Sequence, residues 1–215
     1  NFEGGSYIDT VSVVAGCELR IQEGVSNELQ VYQLNLNGDC GNYVDLKSSS
    51  ATNQAYLDMS GQILNATYIT VEGINGSAGV YNATNSIDQG NNSNWAINEN
   101  PSNITYYWVN GTGNWSDPTH WSLTSGGAAD ACIPGPNDDV VFDNASGANF
   151  TTTVDQIAYC RNMTWMNLAG NPDLTGNTNL MIRGSVVLDA PMTTTFSGNF
   201  VMQAPGAASF TSDGV

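Results

Sequence analysis

Residues 180–202 read LMIRGSVVLDAPMTTTFSGNFVM, a series of short apolar runs separated by turn residues. Three of these runs cover residues 180–183, 186–188 and 200–203, and Gly184 and Gly198 stand between them. Runs this short, bounded by glycine, are typical of β-strands and too brief for helices. The stretch therefore predicts short strands, each followed by a sharp turn.

The same punctuation continues through the C-terminal third, where residues 192–196 and 207–211 are further predicted strands. Such spacing suits the flat faces of a β-solenoid, in which coils stack and asparagine or threonine side chains can form ladders at the corners. A β-sandwich also produces short strands at comparable spacing. We predict an all-β, parallel β-helix or solenoid-like tandem-repeat segment, with β-sandwich modules as the alternative.

The rest of the chain also indicates β-structure. No stretch keeps apolar residues at the helical spacing i, i+3, i+4, i+7 over three turns. Residues 11–14, 29–36, 68–71 and 181–188 instead alternate between apolar and polar side chains. This pattern predicts strands with one buried and one solvated face.

The composition excludes several classes of function. The 215 residues contain 20 Asp and Glu against four Lys and Arg, which gives a formal net charge of −16. Such a surface repels phosphate backbones and anionic lipids, and no apolar run approaches the length that spans a bilayer. We therefore expect no nucleic-acid partner and no membrane insertion.

The four cysteines form two sequential pairs, Cys17 with Cys40 and Cys132 with Cys160. Neither pair has the CxxC spacing that is usual in zinc and redox sites. In an exported protein this pattern predicts two local disulfides, each stabilising the fold by roughly 3–4 kcal/mol. Four buried free thiols are the alternative, because sequence alone cannot fix the pairing.

A module boundary is visible at residues 98–103, which read NENPSN and contain no apolar side chain. Pro101 restricts its neighbours there and disfavours regular structure. We predict one β-rich module in residues 1–100, a linker in residues 101–107 and a second module in residues 108–215.

The most specific motif is WVNGTGNWSDPTHWS, at residues 108–122. It follows VDLKSS at residues 44–49 and NSIDQGNNSNW at residues 85–95. This order resembles the repeats of the SprB-like gliding adhesins and related type IX secreted surface proteins of Bacteroidota. In those repeats a strand with the pattern leu-x-ser-ser comes first. The repeat then ends with the pattern asn-ser … gly-asn-asn-x-gly-trp. The pattern trp-x-gly-gly-x-gly-asn-trp-x-x-x-x-x-trp-ser, which begins the following repeat, comes directly after it. Asn94 and Asn110 stand where the repeats commonly have glycine.

The resemblance implies that residues 1–100 are the C-terminal part of one repeat and residues 108–215 the N-terminal part of the next. It further implies export to the bacterial cell surface, in association with the outer membrane, as a non-catalytic stalk and multivalent adhesive surface for gliding or attachment. The implied partners are neighbouring repeats of the same polypeptide, the motility and secretion machinery, and a polysaccharide or abiotic surface.

Three tryptophans, Trp108, Trp115 and Trp121, are candidates for a glycan-binding platform. Flat aromatic rings can cover the C–H face of a sugar while nearby Asn and Asp side chains supply hydrogen bonds. Large aromatic residues more often anchor a core, and we favour that role here.

Three acidic residues, Asp138, Asp139 and Asp143, are candidates for a structural calcium site. Their oxygens are ligands that calcium prefers, but their spacing matches neither an EF-hand nor the nonapeptide calcium repeats. Solvated turn carboxylates are the alternative interpretation.

Catalysis has little support in the sequence. His120 is the only histidine, and no nucleophile-elbow motif accompanies it. The four basic residues are scattered, unlike the bases of β-helix polysaccharide lyases. We expect no enzyme and no cofactor beyond the calcium considered above. The alternative function is a carbohydrate-active module, either a glycan-binding domain or such a lyase.

Overall fold

The computed structural model describes residues 7–40, 42–99, 103–129 and 131–213. The chain forms two compact units, Asn1–Asn100 and Pro101–Val215. Within the described residues there is no α-helix, and three short 3-10 turns lie at Val25–Asn27, Pro118–His120 and Asn144–Ser146. The all-β prediction is confirmed. No helix in the described part is long and apolar enough to cross a membrane.

Short strands account for the regular structure of unit 1. They are β1 (Tyr7–Val13), β2 (Glu18–Ile21), β3 (Leu29–Leu36), β4 (Val44–Ser48), β5 (Ala55–Asp58), β6 (Ile63–Thr67), β7 (Ile69–Glu72), β8 (Ile74–Ser77), β9 (Val80–Thr84), β10 (Ile87–Gly90) and β11 (Trp95–Asn98). They form three sheets, in the orders β1-β3-β5-β8, β10-β7-β4-β2 and β11-β9-β6. Consecutive strands along the chain therefore belong to different sheets for most of the unit.

Unit 2 repeats this organisation. Its strands are β12 (Thr105–Trp108), β13 (Gly113–Asn114), β14 (Trp121–Ser122), β15 (Asp139–Phe142), β16 (Thr151–Val154), β17 (Ala158–Cys160), β18 (Met163–Trp165), β19 (Asp173–Gly176), β20 (Leu180–Ile182), β21 (Val186–Leu188), β22 (Thr193–Thr194), β23 (Phe200–Met202) and β24 (Phe210–Ser212). The three sheets have the orders β14-β12-β15-β18-β21-β24, β13-β16-β19-β22 and β17-β20-β23.

Parallel pairing gives both units their register. Val140 pairs with Met163, Met163 with Val186, and Val186 with Phe210. From β15 to β21, each strand of this sheet thus pairs with one about 23 residues further along the chain. Among the described strands, only the pair β12 and β14 is antiparallel. A parallel partner at such a distance requires a crossover connection, which the strands of the other two sheets provide.

Alternation of side chains along the strands places the core. Strands β17, β18, β20 and β21 each bury their first and third residues and leave the middle one partly exposed. Parallel register then stacks apolar side chains on one another, as in the fully or nearly buried series Leu19, Leu46 and Val71 of unit 1. Burial of such side chains is the main stabilising contribution.

Polar side chains form ladders on the outside of the sheets. Asn82 donates to the Oδ1 atom of Asn65 at 3.0 Å, and these residues are register partners on β9 and β6. Asn199 donates in the same way to Asn179 at 2.9 Å. The first bond joins two strands, the second joins the residues that directly precede β20 and β23, and neither involves a charged group.

Several predicted strands lie where the sequence placed them. The predicted strand at residues 29–36 is β3, and that at residues 186–188 is β21. The predicted run at residues 181–188 is divided, because β20 ends at Ile182 and β21 begins at Val186. The last strand is also displaced, since β24 covers Phe210–Ser212 and not residues 207–211.

The predicted local disulfides are wrong. Cys40 and Cys132 are disulfide-bonded, whereas Cys17 and Cys160 are free thiols. Cys160 occupies the inward-facing last position of β17 and is fully buried, so its side chain packs as a small apolar group. Cys17 is exposed in the turn between β1 and β2. Proximity in sequence therefore did not identify the bonded cysteines.

The predicted linker at residues 101–107 lies only partly within the described chain, since residues 101 and 102 fall outside it. From Thr105 onwards its residues belong to β12. Assignment of the two units to successive repeat modules remains a prediction.

Candidate functional site

The three tryptophans of the specific motif lie inside unit 2. Trp108 and Trp121 are 0 % exposed and Trp115 is 1 % exposed. The ring centroid of Trp121 lies 5.0 Å from that of Trp108 and 5.0 Å from that of Trp115, with edge-to-face geometry in both pairs. Phe142 extends this cluster and stacks on Trp165 at 4.0 Å. We call these five residues the aromatic cluster.

The turn after Trp108 explains the asparagine and glycine of the motif. Asn110 and Gly111 both have left-handed backbone conformations, with φ of 65° and 72°. This turn lets the Nε1 atom of Trp108 donate to the carbonyl oxygen of Gly111 at 2.7 Å. The amide of Asn110 also donates to the carbonyl of Thr119 at 2.8 Å. Asparagine tolerates this conformation, so it replaces glycine here and adds a hydrogen bond.

His120 is part of the same packing. Its ring stacks on Trp108 with centroids 4.8 Å apart and an interplanar angle of 11°. Its Nδ1 atom is 2.9 Å from the carbonyl oxygen of Val109. A Cβ atom at Gly113 would overlap the His120 ring, so this position requires glycine.

A short 3-10 turn positions His120. Asp117 precedes the turn and accepts a hydrogen bond from the backbone N–H of Thr119 at 2.9 Å, and Pro118 is its first residue. An acidic N-cap followed by proline is a favourable start for such a turn. Trp108, Asn110, Gly113, Asp117 and His120 of the motif therefore all have structural roles in or around the aromatic cluster.

These positions correct the glycan-platform interpretation of Trp108, Trp115 and Trp121. A stacking platform needs aromatic faces that a sugar can reach, and all three rings are buried. The core role that we favoured from the sequence accounts for their contacts.

The first of the three candidate calcium ligands, Asp138, is buried against backbone. It is 3 % exposed and accepts hydrogen bonds from the N–H groups of Gly135 at 2.9 Å and Ile104 at 3.3 Å. Burial raises the pKa of Asp138 above its ordinary value, and these hydrogen bonds offset part of the rise. Both carboxylate oxygens thus hold backbone segments in place.

Asp139 and Asp143 have separate partners. Asp139 accepts from the Nε atom of Arg161 at 2.8 Å and from the side-chain amide of Asn162 at 2.7 Å. Asp143 caps the turn Asn144–Ser146 by accepting from the N–H of Ala145 at 2.9 Å.

The three carboxylates therefore do not converge on one point in the structure. Within the described ranges, no group of three or more His, Cys, Asp or Glu side chains is placed to hold a metal ion. Calcium binding by Asp138, Asp139 and Asp143 remains a prediction.

A second candidate site lies in unit 1, in a region that no sequence motif marked as a binding site. It is an open groove of about 670 Å³. Residues 23–25, residues 52–54, Tyr56 and Asn91 line it, and we call it the polar groove. Its volume is within the range of small-molecule sites in proteins.

Hydrogen bonds between separate loops hold the polar groove in shape. The side-chain amide of Gln54 donates to the carbonyl oxygen of Asn91 and to the hydroxyl of Ser93, both at 2.8 Å. The N–H of Gly24 donates to the carbonyl of Gln54 at 3.0 Å, and the amide of Asn91 donates to the carbonyl of Thr52 at 3.3 Å. The groove is therefore formed before any ligand arrives, which lowers the entropic cost of binding.

Sequence reasoning missed this groove because its residues come from three distant segments. None of these residues is a histidine, a tryptophan or one of a pair of acids, which are the residue types used here to predict binding sites from the sequence. Parallel register brings the segments together, and no signal in the sequence fixes that register.

No family model matches the chain, and neither a curated protein nor a solved structure is significantly similar to it. The resemblance to gliding adhesins therefore rests on the motifs alone.

Proposed function

We propose that the chain is a non-catalytic segment of a large secreted adhesin or filament of the SprB-like type, wound as a parallel β-helix that acts as a stiff stalk. The observation that carries this proposal is the regular return of parallel strands to the same three sheets in each unit. Val140, Met163, Val186 and Phe210 are successive members of one such series. Stacked coils of this kind bury a continuous core and can be extended by adding repeats.

The direction of pairing favours the solenoid over the alternative architecture. A β-sandwich consists of antiparallel sheets. Pairing between the described strands is parallel, apart from the short contact of β12 with β14. This supports the parallel β-helix.

Export is supported by the state of the cysteines. Cys40 and Cys132 are disulfide-bonded, and such bonds persist in oxidising compartments outside the cytoplasm. Display on the outer surface through a type IX system is the further step that the motifs suggest.

A structural role is also supported by the surroundings of the charged residues. Arg20, Lys47 and Arg161 form ion pairs with Glu18, Asp45 and Asp139. A lyase needs a base that is free to take a proton from its substrate. His120 is stacked in the aromatic cluster, so it is not presented as a base either.

Adhesion by such a stalk would come from many weak contacts. Repeats of the same polypeptide can place identical surfaces along one array, and weak contacts add up to strong attachment when several act together. The partners that we propose are neighbouring repeats, the motility and secretion machinery, and a polysaccharide or abiotic surface.

An attachment assay tests the proposal. Microspheres coated with the full chain at increasing density are passed over bare glass and over polysaccharide-coated glass under flow. We expect retention that rises steeply with coating density, above that of spheres coated with an equally acidic unrelated protein. Retention equal to this control at every density on both surfaces would contradict an adhesive role.

A further inference from the structure

The polar groove has a lining that the proposed stalk does not use. Amide side chains, a threonine hydroxyl and one carboxylate share the lining with Val25 and Tyr56, its large apolar side chains among the described residues. Sites for purely apolar ligands are lined mostly by hydrophobic groups. A ligand of this groove must therefore combine hydrogen-bonding groups with an apolar surface.

Three side chains of the lining have donor or acceptor atoms that form no hydrogen bond within the described residues. The exposed side-chain amide of Asn53 and the hydroxyl of Tyr56 make no hydrogen bond within the described part of the chain. The Oε2 atom of Glu23 is buried and likewise has no partner among the described residues. A buried acceptor without a partner is costly, and the last torsion of glutamate rotates readily toward a donor. The groove thus offers both donors and acceptors.

The charges of the lining disfavour anions and divalent metal ions. Among the described lining residues Glu23 is the only charged one, and no lysine or arginine is present to bind a phosphate or a uronate. One carboxylate is too few for a calcium or magnesium site, which takes six or more oxygen ligands. A neutral ligand rich in hydroxyl groups suits the amide and hydroxyl groups of this lining.

The position of Tyr56 adds a second requirement. Tyr56 is a half-buried, outward-facing residue of β5, and Val25, the first residue of the turn Val25–Asn27, is 69 % exposed. A ligand that covers these groups needs an apolar face beside its hydroxyls. A pyranose ring has this combination, because its axial C–H bonds form one apolar side.

We propose that the polar groove binds a neutral glycan. The ring of Tyr56 packs against one sugar, and Asn53 and Glu23 hydrogen-bond to its hydroxyls. This assignment deepens the proposed adhesive function and rests on it, since it gives the stalk a ligand of defined chemistry.

Binding of defined oligosaccharides to the full chain tests the inference. Neutral hexasaccharides of glucose, xylose and mannose are titrated by calorimetry, with a hexauronate as the acidic comparison. We expect binding of at least one neutral hexasaccharide and none of the hexauronate. Tyr56→Ala and Asn53→Ala should each weaken that binding about tenfold, the change expected for loss of one good contact.

Tyr32→Ala is the matched control for Tyr56→Ala. Tyr32 is 50 % exposed on the neighbouring strand β3 and lies outside the groove lining, so its removal should leave binding unchanged. Asn53 is exposed and its side chain forms no hydrogen bond within the described residues, so Asn53→Ala should fold normally. Its binding can therefore be measured even if Tyr56→Ala proves unstable.

Failure of this inference can be told apart from failure of the adhesive function. If no neutral hexasaccharide binds, or if binding is unchanged in both groove variants, the groove assignment is wrong. Coated microspheres that still attach in the flow assay would then leave the adhesive proposal standing. Preferential binding of the hexauronate would also overturn the assignment, because the lining has no cation to hold it.

Discussion

At the scale of single residues, the aromatic cluster depends on small side chains as much as on large ones. Gly113 lies directly against the ring of His120, which stacks on Trp108. The glycine therefore sets the distance at which the turn Pro118–His120 can approach β13. Close packing of this kind leaves no room for an added methyl group.

Gly113→Ala should destabilise unit 2. The new Cβ atom would displace His120 from Trp108, and overpacking of this type costs about 1–3 kcal/mol. Thermal unfolding followed by tryptophan fluorescence measures the change. Gly206→Ala is the control, since a Cβ atom there has no neighbour within 4 Å. Equal melting temperatures for the two variants would contradict the packing argument.

Asp139 makes the stability of unit 2 dependent on pH. Burial alone would raise the pKa of Asp139, but hydrogen bonds from Arg161 and Asn162 outweigh it, so the pKa lies below its ordinary value of 3.8. The folded state thus holds the charged form more tightly than the unfolded state does. This contribution to stability is complete above the unfolded pKa and is lost as the pH falls through the folded pKa.

We therefore expect the urea midpoint to fall as the pH drops below about 4, and this fall to be smaller in Asp139→Asn than in the wild type. Arg161→Gln should reduce the fall as well, because it removes the main partner of the carboxylate. Urea titrations from pH 7 to pH 3 measure the effect. An identical pH dependence in the wild type and both variants would show that this pair does not contribute.

At the scale of strands, one position of β16 departs from the apolar interior. Thr152 is 0 % exposed and pairs in register with Leu174, yet its hydroxyl has no hydrogen-bond partner within the described residues. A buried hydroxyl without a partner lowers stability. The site is therefore one where an apolar side chain of similar shape fits better.

Thr152→Val should stabilise the protein by about 1–2 kcal/mol, the usual cost of a buried unsatisfied polar group. Thr153→Val is the control on the same strand, because its side chain lies on the outer, partly exposed face and should change stability little. Chemical denaturation compares the two. A loss of stability in Thr152→Val would indicate that the hydroxyl has a partner after all, such as an internal water molecule.

Side-chain patterns predicted the bounds of some strands to the residue and those of others only approximately. The alternation at residues 29–36 corresponds to β3 at both ends. Near residue 210 the only large apolar side chain is Phe210, and the pairing of β24 with β21 determines where the strand begins. A strand without its own pattern takes its bounds from its neighbour, which a single sequence does not reveal.

At the scale of the whole molecule, the cysteines provide a direct test of the structure. Cys17 is exposed, whereas Cys160 is fully buried and its burial raises the pKa of the thiol. Both effects slow the reaction of Cys160 with alkylating reagents, since the thiolate is the reactive species.

A maleimide should therefore label one thiol in the native protein and two in denaturant without reductant. Cys17→Ser should abolish the native labelling. Intact-protein mass spectrometry counts the added groups. Absence of any labelling before reduction would instead favour the two local disulfides expected from sequence proximity.

At the scale of the molecule, the sequence indicated one of the two candidate sites and not the other. The motif at residues 108–122 was visible in the sequence because its residues are consecutive, and its packing role followed from residue type. The polar groove was not visible, because Glu23, Tyr56 and Asn91 come from distant segments that meet only in the folded chain.

The ladders on the outer faces determine how the protein responds to salinity. Asn65 with Asn82, and Asn179 with Asn199, join separate segments of the chain through neutral amides, which dissolved ions do not screen. Added salt can then act chiefly on the repulsion among the surplus acids that give the formal charge of −16, and it weakens that repulsion. The folded protein should therefore be less stable in fresh water than in seawater.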